Sequence, residues 1–278
     1  MPLVPTADLV AGARDAGRGI GAFNAITLEH AEAIATGAEA AGLPAIVQIS
    51  ENAVRFHGGR LAPIAEACAA VARASSAPIA LHLDHVESDD LLHAAGDHSF
   101  GSVMYDVSTL AYADNVAATR AAVEWGRARG LWVESELGEV GGKDGAHAPG
   151  VRTDPAEAAA YVAATGVDGL AVAVGSSHAM LDRSAVLDHD LIARIAAAVR
   201  IPLVLHGSSG VPDDELRAAV AAGMVKVNIG TALNIAFTGA IRDRLAADPT
   251  VVDPRKYVAP ARDAMAAIVA DALRVLAP

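Results

Sequence analysis

The feature that most constrains this chain is an alternation: eight short β-branched runs are separated by alanine-rich stretches of helical period. The runs are Gly19–Ala25, Pro44–Ser50, Pro78–His85, Ser102–Asp106, Leu131–Gly138, Gly169–Gly175, Pro202–Gly207 and Met224–Gly230. Helices are predicted between them over Thr27–Ala41, Ala62–Ala74, Asn115–Gly130, Asp154–Thr165, Asp190–Val199 and Asp213–Ala222, with a terminal helix over Pro260–Leu276. Asp154 before Pro155, and Asp213 after Pro212, read as caps. Strands alternating with helices pair in parallel through right-handed crossovers. Eight such units without a charge-rich linker predict an α/β fold, a single (β/α)8 TIM barrel spanning residues 1–278 as one domain.

Nearly every run is apolar until its C-terminal end and then turns polar. The ends read Asn24, Ser50, Asp84-His85, Asp106, Glu134 and Glu136, Ser176-Ser177-His178, His206-Gly207-Ser208 and Asn228. In such a barrel these ends converge on one face, where active sites lie. One polar strand end means little; eight together describe a site.

Composition narrows the function. Apolar residues make up 53% of the chain and aromatics 4%, so small and branched side chains fill a large core. Mean hydropathy is +0.35, yet no run of about 18 uninterrupted apolar residues predicts a membrane span. The net charge of −12, with no basic run, argues against a nucleic-acid partner. No basic-then-apolar signal opens the sequence, and the single Cys68 fits a reducing, cytoplasmic setting as an inert packing residue.

Three histidines fall on the polar face: His85 after the third run, His178 after the sixth, and His206 at the end of the seventh. Three protein ligands with an open position form the catalytic arrangement of zinc. Their wide separation rules out a local finger and implies a site assembled by the fold. Of the other histidines, His30, His93, His98, His147 and His189 are expected to face solvent. His57 lies in the loop after the second run, within reach of the mouth, and His82 reads as buried and satisfied.

His206-Gly207-Ser208-Ser209-Gly210 and Asn228-Ile229-Gly230-Thr231 follow the seventh and eighth runs, the recurrent phosphate position of this fold. Asp84, beside His85, suits a general acid/base next to a cation, or a partner orienting a ligand histidine. The glycine-rich stretch from Gly138 to Gly150, with Glu139, Lys143 and Asp144, suits a lid. A phosphate clamp, an electrophilic metal and a carboxylate together suggest chemistry through an enolate.

These residues resemble the class II, zinc-dependent fructose-bisphosphate aldolase family, including its tagatose-bisphosphate branch. The likeness runs over nearly the whole chain. It is carried by Gly21-Ala22-Phe23-Asn24, His82-Leu83-Asp84-His85, Glu134-Ser135-Glu136-Leu137-Gly138 with Gly141-Gly142, Leu170 to Gly175 then His178, Leu205 to Ser209, and Lys226-Val227-Asn228. The resemblance implies one catalytic zinc on His85, His178 and His206. Asp106 and Glu136 match positions for a second or displaced cation, divalent or monovalent. It implies that Asp84 takes the C4 hydroxyl proton of a ketose 1,6-bisphosphate. It further implies that Asn24, Ser50, Gly207, Ser208, Ser209, Asn228, Gly230 and Thr231 hold the sugar phosphate. The products would be dihydroxyacetone phosphate and an aldehyde such as glyceraldehyde 3-phosphate. A homodimer or homotetramer is expected.

The likeness departs at three places. Asp144 stands where the lid acid is typically glutamate, Ala179 where glycine usually follows the second zinc histidine, and Ala259 where an arginine usually meets the far phosphate. Either Arg262 replaces that arginine or the aldehyde half lacks phosphate. Two rivals remain. A Schiff-base aldolase would need a lysine inside the barrel, and of the chain's three lysines only Lys226 lies on a run. The other rival is a non-catalytic sugar-phosphate sensor.

Overall fold

The computed structural model describes residues 3–137, 151–176 and 182–277. Its elements begin with α1 (Thr6–Asp15), β1 (Ile20–Asn24), α2 (Leu28–Ala41), β2 (Ala45–Ser50), α3 (Glu51–Phe56), α4 (Leu61–Ala74), β3 (Ile79–Val86) and α5 (Asp89–Ala94). They continue with β4 (Ser102–Tyr105), α6 (Tyr112–Arg127), β5 (Trp132–Glu136), α7 (Pro155–Thr165), β6 (Gly169–Ala171), α8 (His189–Val199), β7 (Leu203–Leu205), α9 (Asp213–Ala221), β8 (Met224–Ile229), α10 (Thr231–Ala247) and α11 (Arg255–Leu276). The eight strands pair in sequence order as a closed parallel barrel, β1 returning to β8 through Ile20 opposite Lys226. The predicted barrel is the observed one. Among the described residues no helix is long and apolar enough to cross a membrane.

Two apolar layers result. Outward-facing strand residues such as Phe23, Leu83, Val133 and Leu205 pack against Ile34, Ile64, Ile192 and Val269 of the surrounding helices. Inward-facing Ile20, Ala22, Ile46, Ala80, Trp132, Ala171, Val204 and Val225 fill the N-terminal half of the barrel, where Val10 and Ala13 of α1 close it from below. Each large aliphatic side chain so buried contributes about 1.5–3 kcal/mol. The bottom is mostly apolar, crossed by one buried polar chain in which Ser102 Oγ donates to Thr6 Oγ1 at 2.7 Å and meets His82 Nδ1 at 2.8 Å, while the other polar strand ends gather at the opposite mouth.

Local chemistry explains most boundaries. Asp154 caps α7 as expected, accepting from Ala156 N at 2.8 Å and Glu157 N at 3.1 Å with Pro155 in the first turn. Gly42 ends α2 at φ 65°, a left-handed conformation that only glycine adopts freely. Asp213 is not a cap: Pro212 holds that position and Asp213 is already helical, its carboxylate 2.5 Å from Arg183. β6 stops at Ala171 rather than Gly175. Beyond it the chain leaves the barrel ladder, Thr153 N donating to Ala173 O at 3.0 Å and Asp188 N to Val174 O at 2.9 Å. The terminal helix starts at Arg255, before Pro260, because Pro254 caps it and Val258 N reaches Pro254 O at 2.8 Å. Pro260 removes one ladder bond without ending the helix.

Candidate active site

Regular β-strands point alternate side chains to opposite faces, so two adjacent residues cannot both look into a barrel. Strand β3 breaks that rule at Asp84-His85. Its register against β4 shifts between Leu83 and Val86, and His85 sits at φ 50°. Only one other non-glycine among the described residues, Arg200, has positive φ. This conformation costs on the order of 1–3 kcal/mol and turns the imidazole towards the mouth beside the Asp84 carboxylate. His85 Nδ1 donates to Asp106 Oδ2 at 2.7 Å. That bond commits Nδ1 to Asp106, so Nε2 is the nitrogen that would meet a metal once its own proton is displaced.

His206, at the end of β7, is fixed the same way with the ring reversed. Its Nε2 donates to Glu134 Oε1 at 3.0 Å, and Nδ1 lies 3.5 Å from Glu136 Oε2. The rings of His85 and His206 meet edge to face at 4.9 Å. Ligand atoms of His85, Glu136 and His206 all lie within 4.8 Å of one another. Two imidazoles, each oriented by its own carboxylate, and a buried glutamate are a donor set that fits a divalent ion.

Electrostatics sharpens the geometry. Burial alone would lower the His85 pKa, but Asp84, the Asp106 hydrogen bond and Glu136 outweigh it and raise it to about 10. Burial would raise the Asp84 carboxyl; the charge of His85, then His82 and Lys226, hold it well below the usual range. Glu134 likewise stays ionised, brought down to about 2 against burial chiefly by Lys226 and His206. Asp84 is therefore ionised, with its charge held by the cations around it. Asn24 Nδ2 approaches its Oδ2 at 3.4 Å, and Gln48 Nε2 holds Asn24 Oδ1 at 2.8 Å.

Facing Asp84 is the anion cradle. Gly207 turns the chain at φ 63° into the tight helical turn Ser208–Gly210. The Ser208 hydroxyl bonds the Asn228 carbonyl, and Ala232 N donates to Ser209 Oγ at 3.1 Å, so the two serines tie the β7 and β8 loops together. Gly230 precedes the first turn of α10, whose N-terminal amides and dipole favour an anion. One cavity is lined by Asn24, Ile26, Gln48, Ser50, Asn52, Asp84, His85, Gly207, Ser208, Ser209, Asn228, Gly230, Thr231 and Asn234.

Every substrate-contacting residue expected from the sequence lines that cavity together with Asp84 and His85, and His206 and Glu136 stand beside it. His178 and Asp144 lie outside the described residues. Asp106, expected near a second cation, lies beside the histidine pair, its Oδ2 accepting from His85 and its Oδ1 from Ser108 N and Oγ. Arg262 does not line the cavity; it pairs with Glu32 at 2.9 Å between α2 and α11. His57 stops short of the mouth, its Nε2 donating to Ile26 O at 2.8 Å. His30, expected in solvent, is buried against Phe237, with Nδ1 3.1 Å from Thr27 Oγ1. Sequence reasoning missed Gln48, Asn52 and Asn234; for Gln48 the signal was a polar residue two positions before Ser50 on a buried strand.

Comparison with known proteins decides the family. The family described as "Fructose-bisphosphate aldolase class-II" matches residues 4–277. The chain belongs to that family. This class II aldolase is 40% identical over 258 residues to a fructose-bisphosphate aldolase of Geobacillus stearothermophilus, covering 92% of this chain and 90% of the relative. It is 36% identical over 294 residues to one from Thermus caldophilus, covering 96% and 95%. Among solved structures, the YdjI aldolase of Escherichia coli K12 superposes with a TM-score of 0.86 at 27% identity, covering 99% of this chain and 97% of that one. The aldolase is thus a carbon–carbon lyase of a metal-dependent family that acts on sugar phosphates.

Proposed function

We propose that this aldolase reversibly cleaves a ketose 1,6-bisphosphate, of fructose or tagatose type, to dihydroxyacetone phosphate and glyceraldehyde 3-phosphate. The observation that carries this reading is the placement of the ionised Asp84 across one cavity from the Gly207–Ser209 and Gly230–Thr231 loops. Bound between them, the ketose presents its C1 phosphate to the cradle and its C4 hydroxyl to Asp84. Asp84 takes the hydroxyl proton, the C3–C4 bond breaks, and its electron pair passes through C3 to the C2 oxygen as an enediolate. The C4 oxygen becomes the aldehyde. Asp144 supplies the proton that C3 then needs; condensation reverses each step. His85 and His206, with His178 and with Glu136 as a further ligand, would hold zinc, whose Lewis acidity polarises the C2 carbonyl and stabilises the enediolate. Asn24 keeps the Asp84 carboxylate aimed, and Asn228 faces the substrate from β8.

A second reading, the same chemistry on a ketose 1-phosphate, is favoured by the Arg262–Glu32 pair, which keeps that guanidinium off the cavity wall. Cleavage assays with fructose and tagatose 1,6-bisphosphates and their 1-phosphates, on zinc-loaded protein, decide between them. Cleavage of none of the four would refute both readings.

A further inference from the structure

The barrel interior holds a lysine that no step of the proposed reaction uses. Lys226 is fully buried. An irregularity in the β7–β8 register places it beside Val204, where it projects inward. Its two partners belong to different halves of the site. Nζ donates to Asn228 Oδ1 at 2.8 Å and pairs with Glu134 Oε2 at 2.8 Å. Asn228 stands in the anion cradle, while the other oxygen of Glu134 holds His206 Nε2 at 3.0 Å.

Donor chemistry makes both contacts directional. An ammonium only donates, so it must meet the amide oxygen of Asn228, and the amide N–H groups are left to face the cavity. Lys226 occupies one Glu134 oxygen at 2.8 Å, which fixes the carboxylate plane and points the other oxygen at His206. That oxygen accepts the hydrogen bond from His206 Nε2 at 3.0 Å, and Nδ1 is left on the Glu136 side.

We propose that Lys226 is a positioning residue that locks both halves of the site at once: it turns the Asn228 amide towards the substrate anion and, through Glu134, fixes the His206 ring for the metal. It is not a nucleophile. An imine-forming amine must be deprotonated and free to meet a carbonyl, whereas Nζ is held by two partners and does not line the cavity. The role rests on the aldolase reading only in which anion the cradle takes.

The test uses Lys226→Met, Glu134→Gln and the double variant, with two binding measurements that need no turnover. Zinc affinity is read by competition with a chromophoric chelator. Dihydroxyacetone phosphate binding is read by calorimetry on metal-free protein. Lys226→Met is expected to weaken zinc about 10–100-fold and dihydroxyacetone phosphate about tenfold. Glu134→Gln keeps an amide oxygen to accept from Lys226 Nζ but turns an N–H towards His206, so it is expected to weaken zinc alike and leave the phosphate ligand within about twofold. Wild-type zinc affinity in Lys226→Met overturns the proposal, as does equal loss of the phosphate ligand in both single variants, the mark of a general packing defect. Borohydride trapping of dihydroxyacetone phosphate on Lys226 also overturns it. If circular dichroism shows Lys226→Met unfolded, the double variant, which removes both buried charges, replaces it. It must then bind dihydroxyacetone phosphate about tenfold more weakly than Glu134→Gln, and equal binding overturns the role. Wild-type protein that binds zinc but not dihydroxyacetone phosphate would sink the aldolase reading instead, while the zinc measurements still decide Lys226.

Discussion

Gly230→Ala measures how tightly the cradle is coupled to the proton-accepting carboxylate. A Cβ at Gly230 would lie 2.7 Å from Asn24 Oδ1 and 3.2 Å from its Cγ. The amide must then withdraw by about half an ångström to restore ordinary contact. Asn24 has little slack, because Gln48 holds its Oδ1 at 2.8 Å and its Nδ2 meets Asp84 only at 3.4 Å, the far end of hydrogen-bond range. The retreat breaks the Asp84 contact. A hydrogen bond to a charged group is worth about 1.5–3 kcal/mol, and the long geometry argues for the lower end. A loss of about tenfold in kcat follows. Asn24→Ala should cost a similar factor. In the Asn24→Ala background there is nothing left to collide with, so adding Gly230→Ala should change kcat by less than about twofold. Steady-state cleavage of the preferred ketose phosphate, with denaturant unfolding as a check on the fold, reads the cycle. Multiplicative losses in the double variant would refute the reasoning and mean that Gly230 serves substrate approach instead.

Three more outcomes are expected. His85, raised to about 10, holds a proton at neutral pH that a metal must displace, so zinc affinity should climb with pH and binding should release close to one proton in calorimetry across two buffers; pH-independent affinity would contradict this. The same shift stabilises the metal-free fold fully below the ordinary histidine pKa of 6.5, and that contribution fades as the pH rises through about 10. Burial pushes the Cys68 thiol up to about 12, so native protein should resist iodoacetamide at about pH 8 and react only when denatured; rapid native labelling would show the thiol to be accessible. Gly37→Ala places a Cβ 2.6 Å from Ala266 O where α2 meets α11 and should destabilise by about 1–3 kcal/mol. Gly239→Ala meets nothing within 4 Å and should stabilise by up to about 1 kcal/mol. Equal signs in equilibrium denaturation would disprove the packing account.

The barrel was legible because its information is local: β-branched runs, caps and polar strand ends repeat along the chain. The cavity was legible for the same reason, since parallel strands bring their C-terminal ends to one face without further instruction. What escaped were residues whose meaning depends on partners far away in sequence. His30 looks like any helical histidine until Phe237 covers it. Glu134 and Glu136 read alike on one strand, yet one faces Lys226 and the other the histidine pair. Asp106 carries the right chemistry for an ion, but its hydrogen bond to His85 depends on a partner 21 residues away. Pro260 reads as a helix start because prolines favour that place, and nothing nearby announces that Pro254 already fills it.

Closure of the barrel has a consequence for biosynthesis. His85 emerges from the ribosome with β3, but Gly230, Thr231 and the lysine beneath the cradle arrive with the last strand, which pairs with the first. A nascent chain that has exposed seven strands has neither a finished anion site nor the cation that keeps Glu134 ionised in the interior. Competence to hold the sugar phosphate therefore arrives in one step, at ring closure, and a truncated product is silent rather than partly active.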